Sequence, residues 1–294
     1  MNYPEKIDLH LHTVISDGTD TPEELLANVK KAGVELFSVT DHDAVRGCEI
    51  IQPLLRKGDP PCIPGVEFSC RDELGKYHIL GYAYDLKAKP IREIVMKGHE
   101  NRMYKVWDRL DGLEKMFRIT FPEEEIMKLL GRSNPGKPHL ANLMVQYGYA
   151  PNKEVAIREF IDALKIKSRY VRPEEAIRAI LDSGGIPVLA HPSFGSGEQR
   201  ITGRDMEARL TRLMEFGLQG VEAFYSQFTE ELVRELLEFA ARFDLYVTAG
   251  SDYHGKNKTN ALGITLLEKV AEKPEGMRRF LDEVLSGSAK RTIM

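Results

Sequence analysis

His10 and His12 stand two residues apart in Ile7-Asp8-Leu9-His10-Leu11-His12, and Asp17 follows in the turn Ser16-Asp17-Gly18. Apolar and polar residues alternate through the stretch, which is the period of a β-strand. Asp8, His10 and His12 then share one face, and Ile7, Leu9 and Leu11 the other. Two imidazoles on one face at a strand end can grip a metal ion, since neutral imidazole is a common transition-metal ligand. A polar strand face without metal has the same appearance, so this pair alone decides nothing.

The same residue types recur down the chain. His42 lies in Thr40-Asp41-His42-Asp43, Glu67 in Gly65-Val66-Glu67, and His78 in Tyr77-His78-Ile79. His191 lies in Ala190-His191-Pro192, and Asp252 and His254 in Gly250-Ser251-Asp252-Tyr253-His254. With Asp17 these are more candidate ligands than one ion can use, so two or three ions are expected. Histidines mixed with carboxylates suit manganese, zinc or iron better than magnesium or calcium. Close metal pairs make water acidic and neutralise charge on a phosphoryl group, which is the chemistry of in-line phosphoester hydrolysis.

The elements that must position these residues alternate. A strand through His10 is followed by a helix that Thr21-Pro22-Glu23-Glu24 opens with a capping box and Gly33 closes. Strands follow at Leu36–Thr40 and Ile63–Phe68, with a helix over about 44–56 between them. The short turn Arg71–Lys76 makes the next strand, Tyr77–Tyr84, an antiparallel hairpin partner, since a parallel crossover needs a dozen or more residues. That hairpin brings His78 beside Glu67. From about 87 to 171 strand signals give way to helical ones, at Ile91–Leu113, Pro122–Leu130, His139–Tyr147 and Lys153–Leu164. Alternation resumes at Arg172, with strands at Ile186–Ala190, Gly220–Tyr225 and Tyr246–Gly250 and helices between and after them. Five of the eight histidines fall at the ends of strands and His78 joins them through the hairpin, so six converge on one mouth if the chain closes into a barrel. In an α/β barrel those ends form the active-site face. The expectation is an α/β barrel over 1–86 and 172–294, with a helical insertion over 87–171 capping its mouth. Trp107, the single tryptophan, is expected to anchor the insertion's core, and His99 to lie on the surface.

A formal charge of −4 excludes binding nucleic acid by bulk electrostatics, and no apolar run is long enough to span a membrane. Three cysteines, Cys48, Cys62 and Cys70, without metal-type spacing are read as buried thiols of a cytoplasmic protein without a signal peptide.

His10-x-His12, Asp17, Thr40-Asp41-His42-Asp43, Gly65-x-Glu67, His78, Ala190-His191-Pro192 and Gly250-Ser251-Asp252-x-His254 together resemble the motif set of the PHP (polymerase and histidinol phosphatase) family. The resemblance covers residues 3–86 and 172–265. It implies a distorted seven-stranded TIM-like barrel with a trinuclear metal site and an active hydrolase. Carried over by motif, His10, His12, Glu67 and Asp252 would hold one ion, Glu67, His78 and His191 a second, and Asp17, His42 and His254 a third. Asp41 or Asp43 would orient a ligating ring rather than bind metal. Glu222 is read as a structural group in preference to such an outer partner.

The insertion is similar to that of the PHP subgroup containing nucleoside 3′,5′-bisphosphate phosphatases, AMP-hydrolysing relatives and a 5′-to-3′ exoribonuclease. That resemblance implies a phosphatase acting on a small nucleotide. Arg102 in Glu100-Asn101-Arg102 and Lys137 and His139 in Gly136-Lys137-Pro138-His139 would hold a substrate phosphate, with His139 protonating the leaving group. The subgroup commonly has Arg where this chain has Lys137, and Lys offers a point charge instead of a fork. Phe224 and Tyr225 are placed in the core, with a base pocket as the alternative. Competing readings are an exonuclease on short RNA ends, a histidinol-phosphate-type phosphatase and a non-catalytic module like the PHP domains of DNA polymerases. A metal-dependent amidohydrolase is the weakest, because no lysine at a strand end offers the carboxylated bridge it would need. No protein partner is evident.

Overall fold

The computed structural model describes residues 3–132, 134–166, 169–194 and 200–291, with side chains to 286. Ser133, in the basic-looking turn Gly131-Arg132-Ser133-Asn134-Pro135 before Gly136, lies outside the described residues. Seven strands form one sheet in sequence order: β1 (Ile7–Leu11), β2 (Leu36–Val39), β3 (Cys62–Arg71), β4 (Lys76–Tyr82), β5 (Ile186–Leu189), β6 (Gly220–Tyr225) and β7 (Tyr246–Gly250). All neighbours are parallel except β4, which runs antiparallel to both β3 and β5. The sheet curls until β1 meets β7, where Leu11 bridges Tyr253 and His12 N–H donates to the Tyr253 carbonyl at 2.9 Å. The result is the expected distorted, nearly closed barrel with helices around it.

Helices α1 (Pro22–Lys31) and α2 (Arg46–Ile51) cover β1 and β2. The capping box forms as expected: Glu24 N donates to Thr21 Oγ1 at 3.2 Å, and Thr21 N to Glu24 Oε2 at 2.8 Å. Leu25, Leu26 and Val29 of α1 then pack on Leu11, Phe37, Val39, Cys48 and Ile51. The other barrel helices are α7 (Pro173–Asp182), α8 (Gly203–Glu215), α9 (Glu230–Arg242) and α10 (Glu275–Arg291); α3 to α6 belong to the intervening segment.

That segment carries α3 (Lys89–Phe117), α4 (Glu123–Leu130), α5 (Lys137–Gln146) and α6 (Lys153–Val155), the last continuing as a π-helical turn, Ala156–Ile161. It has its own apolar cluster, including Val106, Leu110, Leu113, Leu140, Met144 and Ile161. Ile91 and Ile94, in the first turns of α3, belong instead to the barrel's cluster, so α3 is shared between the two cores. Trp107 is not in that cluster and is 51% exposed, which corrects the expectation of a core anchor. Val106, Leu110 and Leu113 form the buried stripe of α3, and Trp107 sits one residue off it.

Candidate metal centre

The parallel strands end at one mouth, and the candidate ligands meet there. His12, His42, His191, Asp252 and His254 follow strand ends, His10 is the penultimate residue of β1, Asp17 lies in the turn beyond it, and Glu67 and His78 lie within β3 and β4. β3 runs to Arg71, beyond the expected end at Phe68, so Glu67 is mid-strand and the β3–β4 hairpin rises past the rim. In that hairpin Ser69 pairs His78 and Glu67 pairs Leu80, yet the side chains of Glu67 and His78 converge, with Oε1 2.8 Å from Nδ1.

Glu67 is the centre of the cluster. Its Oε2 lies 3.2 Å from His10 Nε2, 3.2 Å from His12 Nε2 and 3.0 Å from His42 Nδ1. Its Oε1 faces His78 and, at 3.0 Å, His191 Nε2. Asp252 Oδ1 is 3.5 Å from His10 and 3.4 Å from both His12 and His254. Asp17 Oδ1 is 3.2 Å from His254 Nε2 and 3.8 Å from His12 Nδ1, and its Oδ2 is 3.9 Å from His42 Nε2. These contacts join all nine candidate groups.

Many of these short approaches are not hydrogen bonds. Among the described residues, His10 Nε2, His12 Nε2, His42 Nδ1, His191 Nδ1, His254 Nε2, Asp17 Oδ1 and Glu67 Oε2 are buried without any hydrogen-bond partner. A buried polar atom left unpaired costs about 1–3 kcal/mol. Seven such atoms gathered on imidazoles and carboxylates of one cluster are what bound cations would satisfy. The cluster resolves into His10-His12-Glu67-Asp252, His12-Asp17-His42-His254 and His42-Glu67-His78, each with ligand atoms within 4.8 Å of one another. His191 joins the third through Glu67 and, at 3.2 Å, His78. Imidazole and carboxylate donors in groups of three and four fit divalent transition metals.

The charge states suit that use. Burial works against the charge on Glu67, but His42, His10 and His78 outweigh it and hold the carboxyl well below its usual range. Asp17 and Asp252 are likewise held low against burial, Asp17 by His42 and His254, Asp252 chiefly by Lys258. Burial pushes His42, His78 and His254 down, toward the neutral ligating form. Burial also opposes the charge on His12, but Asp252 and Glu67 lift it to about 9. A cation binding there must displace that proton.

Surrounding groups aim the ligands. Glu222 is fully buried, accepts from His10 Nδ1 at 2.9 Å and from the His191 backbone N–H at 2.7 Å. It therefore fixes the ring of His10 with Nε2 facing inward, an outer-partner role in place of the structural one expected. Among the described residues, neither Asp41 nor Asp43 forms a hydrogen bond or ion pair with an imidazole. Asp41 takes the Thr13 N–H, Thr13 Oγ1 and Ser16 Oγ at 2.8, 2.8 and 2.6 Å, and so shapes the turn between His12 and Asp17. Asp43 binds Arg102 Nε at 2.6 Å and the Ser69 N–H at 3.1 Å. Gly98 permits this contact, since a Cβ there would lie 2.8 Å from that of Asp43. Asp43, His191 and Asp252 have φ of +49°, +25° and +56°, so left-handed backbone is concentrated at this mouth.

The three expected phosphate-binding residues are not equally placed. Arg102 reaches the rim, with Nη2 2.9 Å from Ser69 Oγ. His139 Nδ1 accepts the Gly136 N–H at 3.1 Å, capping its own helix. Burial, with Arg132 adding to it, pushes this imidazole down to about 4. In its neutral state the ring can offer a phosphate one N–H, since its Nδ1 is already used as an acceptor. Lys137 is turned onto Asp162 at the surface. Phe224 is core; Tyr225 is buried but lines the mouth, its OH donating to Asp252 Oδ2 at 3.0 Å. His99 is half-buried.

Lys258, Phe194 and Gln227 at the mouth carry no expectation from the sequence, and Asp8 carries only that of sharing the face of His10 and His12. Lys258 Nζ lies 2.7 Å from Asp252 Oδ2. With Phe194, Tyr225 and Gln227 it walls a cavity of about 280 Å³ above Glu67, His78 and His191. Asp8, fully buried, accepts the Ser251 N–H at 2.9 Å and the Gly263 N–H at 2.7 Å, stapling β1 to the end of β7. The run Gly255-Lys256-Asn257-Lys258 directly after the last ligand was the available signal for Lys258; the alternation that puts Asp8 on the face of His10 and His12 marked Asp8, and Phe194 had no signal.

The profile of the PHP domain family matches residues 8–155, from β1 into the inserted segment. Among characterised proteins, the chain is 31% identical to a phosphoribosyl 1,2-cyclic phosphate 1,2-diphosphodiesterase of Eggerthella lenta, over 85% of this chain and 94% of that one. It is 27% identical to a 5′-3′ exoribonuclease of Haemophilus influenzae, over 85% and 90%. It is 28% identical to a 3′,5′-nucleoside bisphosphate phosphatase of Chromobacterium violaceum, over 84% and 87%. A Bifidobacterium adolescentis crystal structure, assigned as a metal-dependent phosphoesterase, superposes with a TM-score of 0.79 at 28% identity, covering 96% of each chain. The residues that first suggested the resemblance, the barrel that gathers them and these likenesses agree: the chain belongs to the PHP domain family.

Proposed function

We propose that this chain is a metal-dependent phosphoesterase that hydrolyses a terminal phosphate of a small nucleotide, a nucleoside 3′,5′-bisphosphate or an AMP-like monophosphate. The observation that carries the reading is the buried cluster of nine ligand groups with seven unpaired donor and acceptor atoms beneath a rim bearing Arg102 and Lys258. His10, His12, Glu67 and Asp252 would hold one ion, Glu67, His78 and His191 a second, and Asp17, His42 and His254 a third. Manganese is proposed, with zinc or iron as alternatives. When bound, such ions draw charge from a phosphoryl group and make water a competent nucleophile at neutral pH.

The chain's own groups do the rest. Arg102, locked between Asp43 and Ser69, presents a fixed guanidinium to a phosphate oxygen. His139 offers a neutral N–H. Phe194 and Tyr225 keep water from one wall of the cavity. Three reduced, buried thiols suit a cytoplasmic enzyme. A diester reading, on short RNA or a cyclic phosphate, is favoured by the names of the Eggerthella and Haemophilus relatives.

A manganese-dependent panel separates these readings: adenosine 3′,5′-bisphosphate, AMP, short 5′-phosphorylated RNA, phosphoribosyl 1,2-cyclic phosphate and histidinol phosphate. Fastest release from one of the first two is expected. Faster turnover of RNA or the cyclic ester would move the assignment to a diesterase. No hydrolysis of any of them by metal-loaded protein would overturn the phosphoesterase reading.

A further inference from the structure

The two loops that carry Asp17 and His254 are fastened to each other at several points. Lys256 N donates to Thr19 Oγ1 at 2.9 Å, and Tyr253 OH to Asp20 Oδ2 at 2.9 Å. Gly255, at φ +62°, permits this approach, since a Cβ there would collide with Thr19 Oγ1. Asn257 closes the junction. Its Nδ2 donates to the Asp17 carbonyl at 2.7 Å, and its backbone N–H to the His254 carbonyl at 3.3 Å. One half-buried residue thus ties together two candidate ligands whose side chains meet at 3.2 Å.

The other end of the same amide is held from the inserted segment. Lys153 Nζ, in the first turn of α6, donates to Asn257 Oδ1 at 2.9 Å across 104 residues. Among the described residues this is the one hydrogen bond that α4, α5 or α6 makes to the barrel. His139, in the first turn of α5, lies within electrostatic reach of both Lys153 and Asp17, so the starts of α5 and α6 stand on the Asp17 side of the mouth. The amide has one orientation that serves both neighbours, with Nδ2 on the carbonyl and Oδ1 on the ammonium. Ordering the side chain for one bond therefore removes most of the entropy cost of the other.

We propose that Asn257 is a positioning residue for the ion held by Asp17, His42 and His254, and that through Lys153 it couples that ion to the docking of the inserted segment over the mouth. This rests on reading the trio as the holders of one ion, and it gives the insertion a part in metal binding besides substrate contact. An ion on Asp17 and His254 fixes both loops and with them Asn257, so the acceptor for Lys153 is ordered in advance. Such coupling is reciprocal: a docked insertion tightens the ion by the factor with which the ion tightens docking. Among the described residues, neither His10, His78 nor His191 bonds Asn257, so the other two ions should be indifferent to it.

Equilibrium dialysis against manganese, with the bound metal counted, compares the full chain with its Asn257→Leu and Lys153→Met variants, which keep the shape or the aliphatic stem. The wild type should bind three ions. Asn257→Leu should weaken one of them about tenfold or more and leave the other two unchanged. Lys153→Met should weaken one ion by about three- to tenfold. In a His42→Ala background, which removes the ion in question, neither change should alter the affinities that remain. Hydrogen exchange supplies the second readout: manganese should slow exchange in α5 and α6 of the wild type, and do so less in Lys153→Met. Three ions at wild-type affinity in a folded Asn257→Leu chain overturn the proposal, and so does equal weakening of all three, which would make Asn257 a residue of the fold alone. Exchange in α5 and α6 that ignores manganese overturns the coupling. A wild type that binds three ions while both variants are indifferent sinks this inference only; a wild type indifferent to His42→Ala sinks the reading of the trio, and this inference with it. Should Asn257→Leu fail to fold, Lys153→Met and the exchange data decide.

Discussion

Glu222 Oε1 lies 2.9 Å from His10 Nδ1, with both side chains fully buried. The same carboxylate accepts the backbone N–H of His191, so a single residue on β6 aligns groups from β1 and β5. Glu222→Gln keeps the shape but turns an amide N–H toward one of these donors. Metal affinity is expected to fall by about 10–100-fold, with phosphate release falling alongside it. Metal titration of the variant against the wild type measures this; wild-type affinity would return Glu222 to a purely structural role.

Removing metal should weaken the fold as well as stop catalysis, because the seven unpaired atoms lose their partners. Dialysis against a chelator is expected to lower Tm, and added manganese to restore it, by an amount equivalent to about 4 kcal/mol at a thousandfold excess over Kd. A Tm and a rate both indifferent to the chelator would show that the cluster holds no ion.

His191→Ala and Asp252→Ala each remove a group facing the cavity. Phosphate release should drop by roughly 10²–10³-fold or more, since electrostatic groups acting on a developing charge have effects of that size. Circular dichroism should stay native, because both residues lie beyond strand ends. Full activity in either variant would refute the assigned site.

Lys258 pairs with Asp252 while lining the same cavity, its side chain 39% exposed. Lys258→Met should weaken substrate capture by about tenfold, seen in KM, and flatten the salt dependence of kcat/KM. An unchanged salt dependence would count against contact with a phosphate.

Asp8 gives a pH signature. Burial raises its carboxyl to about 6, against the ordinary 3.8, despite hydrogen bonds from Ser251, Gly263 and His10. Between those values the folded chain binds the proton more tightly than the unfolded chain. Stability from this group therefore rises as pH falls from about 6 to about 4, and is lost again as pH climbs back. Relative to Asp8→Asn, the metal-free wild type should gain on the order of 3 kcal/mol across that window, read from urea unfolding at several pH values. Asp17, Glu67 and Asp252, whose carboxyls are depressed, lose stability on acidification and are common to both proteins, so the difference isolates Asp8. No relative change would mean that Asp8 stays ionised throughout.

The strand ends and the residues placed after them were legible in the linear chain, because alternation, capping boxes and turn residues act over a few positions. His10, His12, His42, His191, Asp252 and His254 could be assigned to one mouth by noting that each follows an apolar run, and the hairpin turn brought in Glu67 and His78. What surrounds those ligands was decided by tertiary structure. Glu222 reaches His10 across 212 residues and Asp8 reaches Ser251 across 243, and no local pattern marks either contact. Asp41 shapes a turn 28 residues earlier in the chain instead of the ring beside it. Trp107 is half exposed because the neighbours of α3 cover Val106, Leu110 and Leu113, and hydrophobicity alone does not tell which stripe of a helix will be covered. Lys105 and Arg109 of the same helix are buried for a matching reason: a charge on a helix is assigned to solvent or core only when a second surface closes over it.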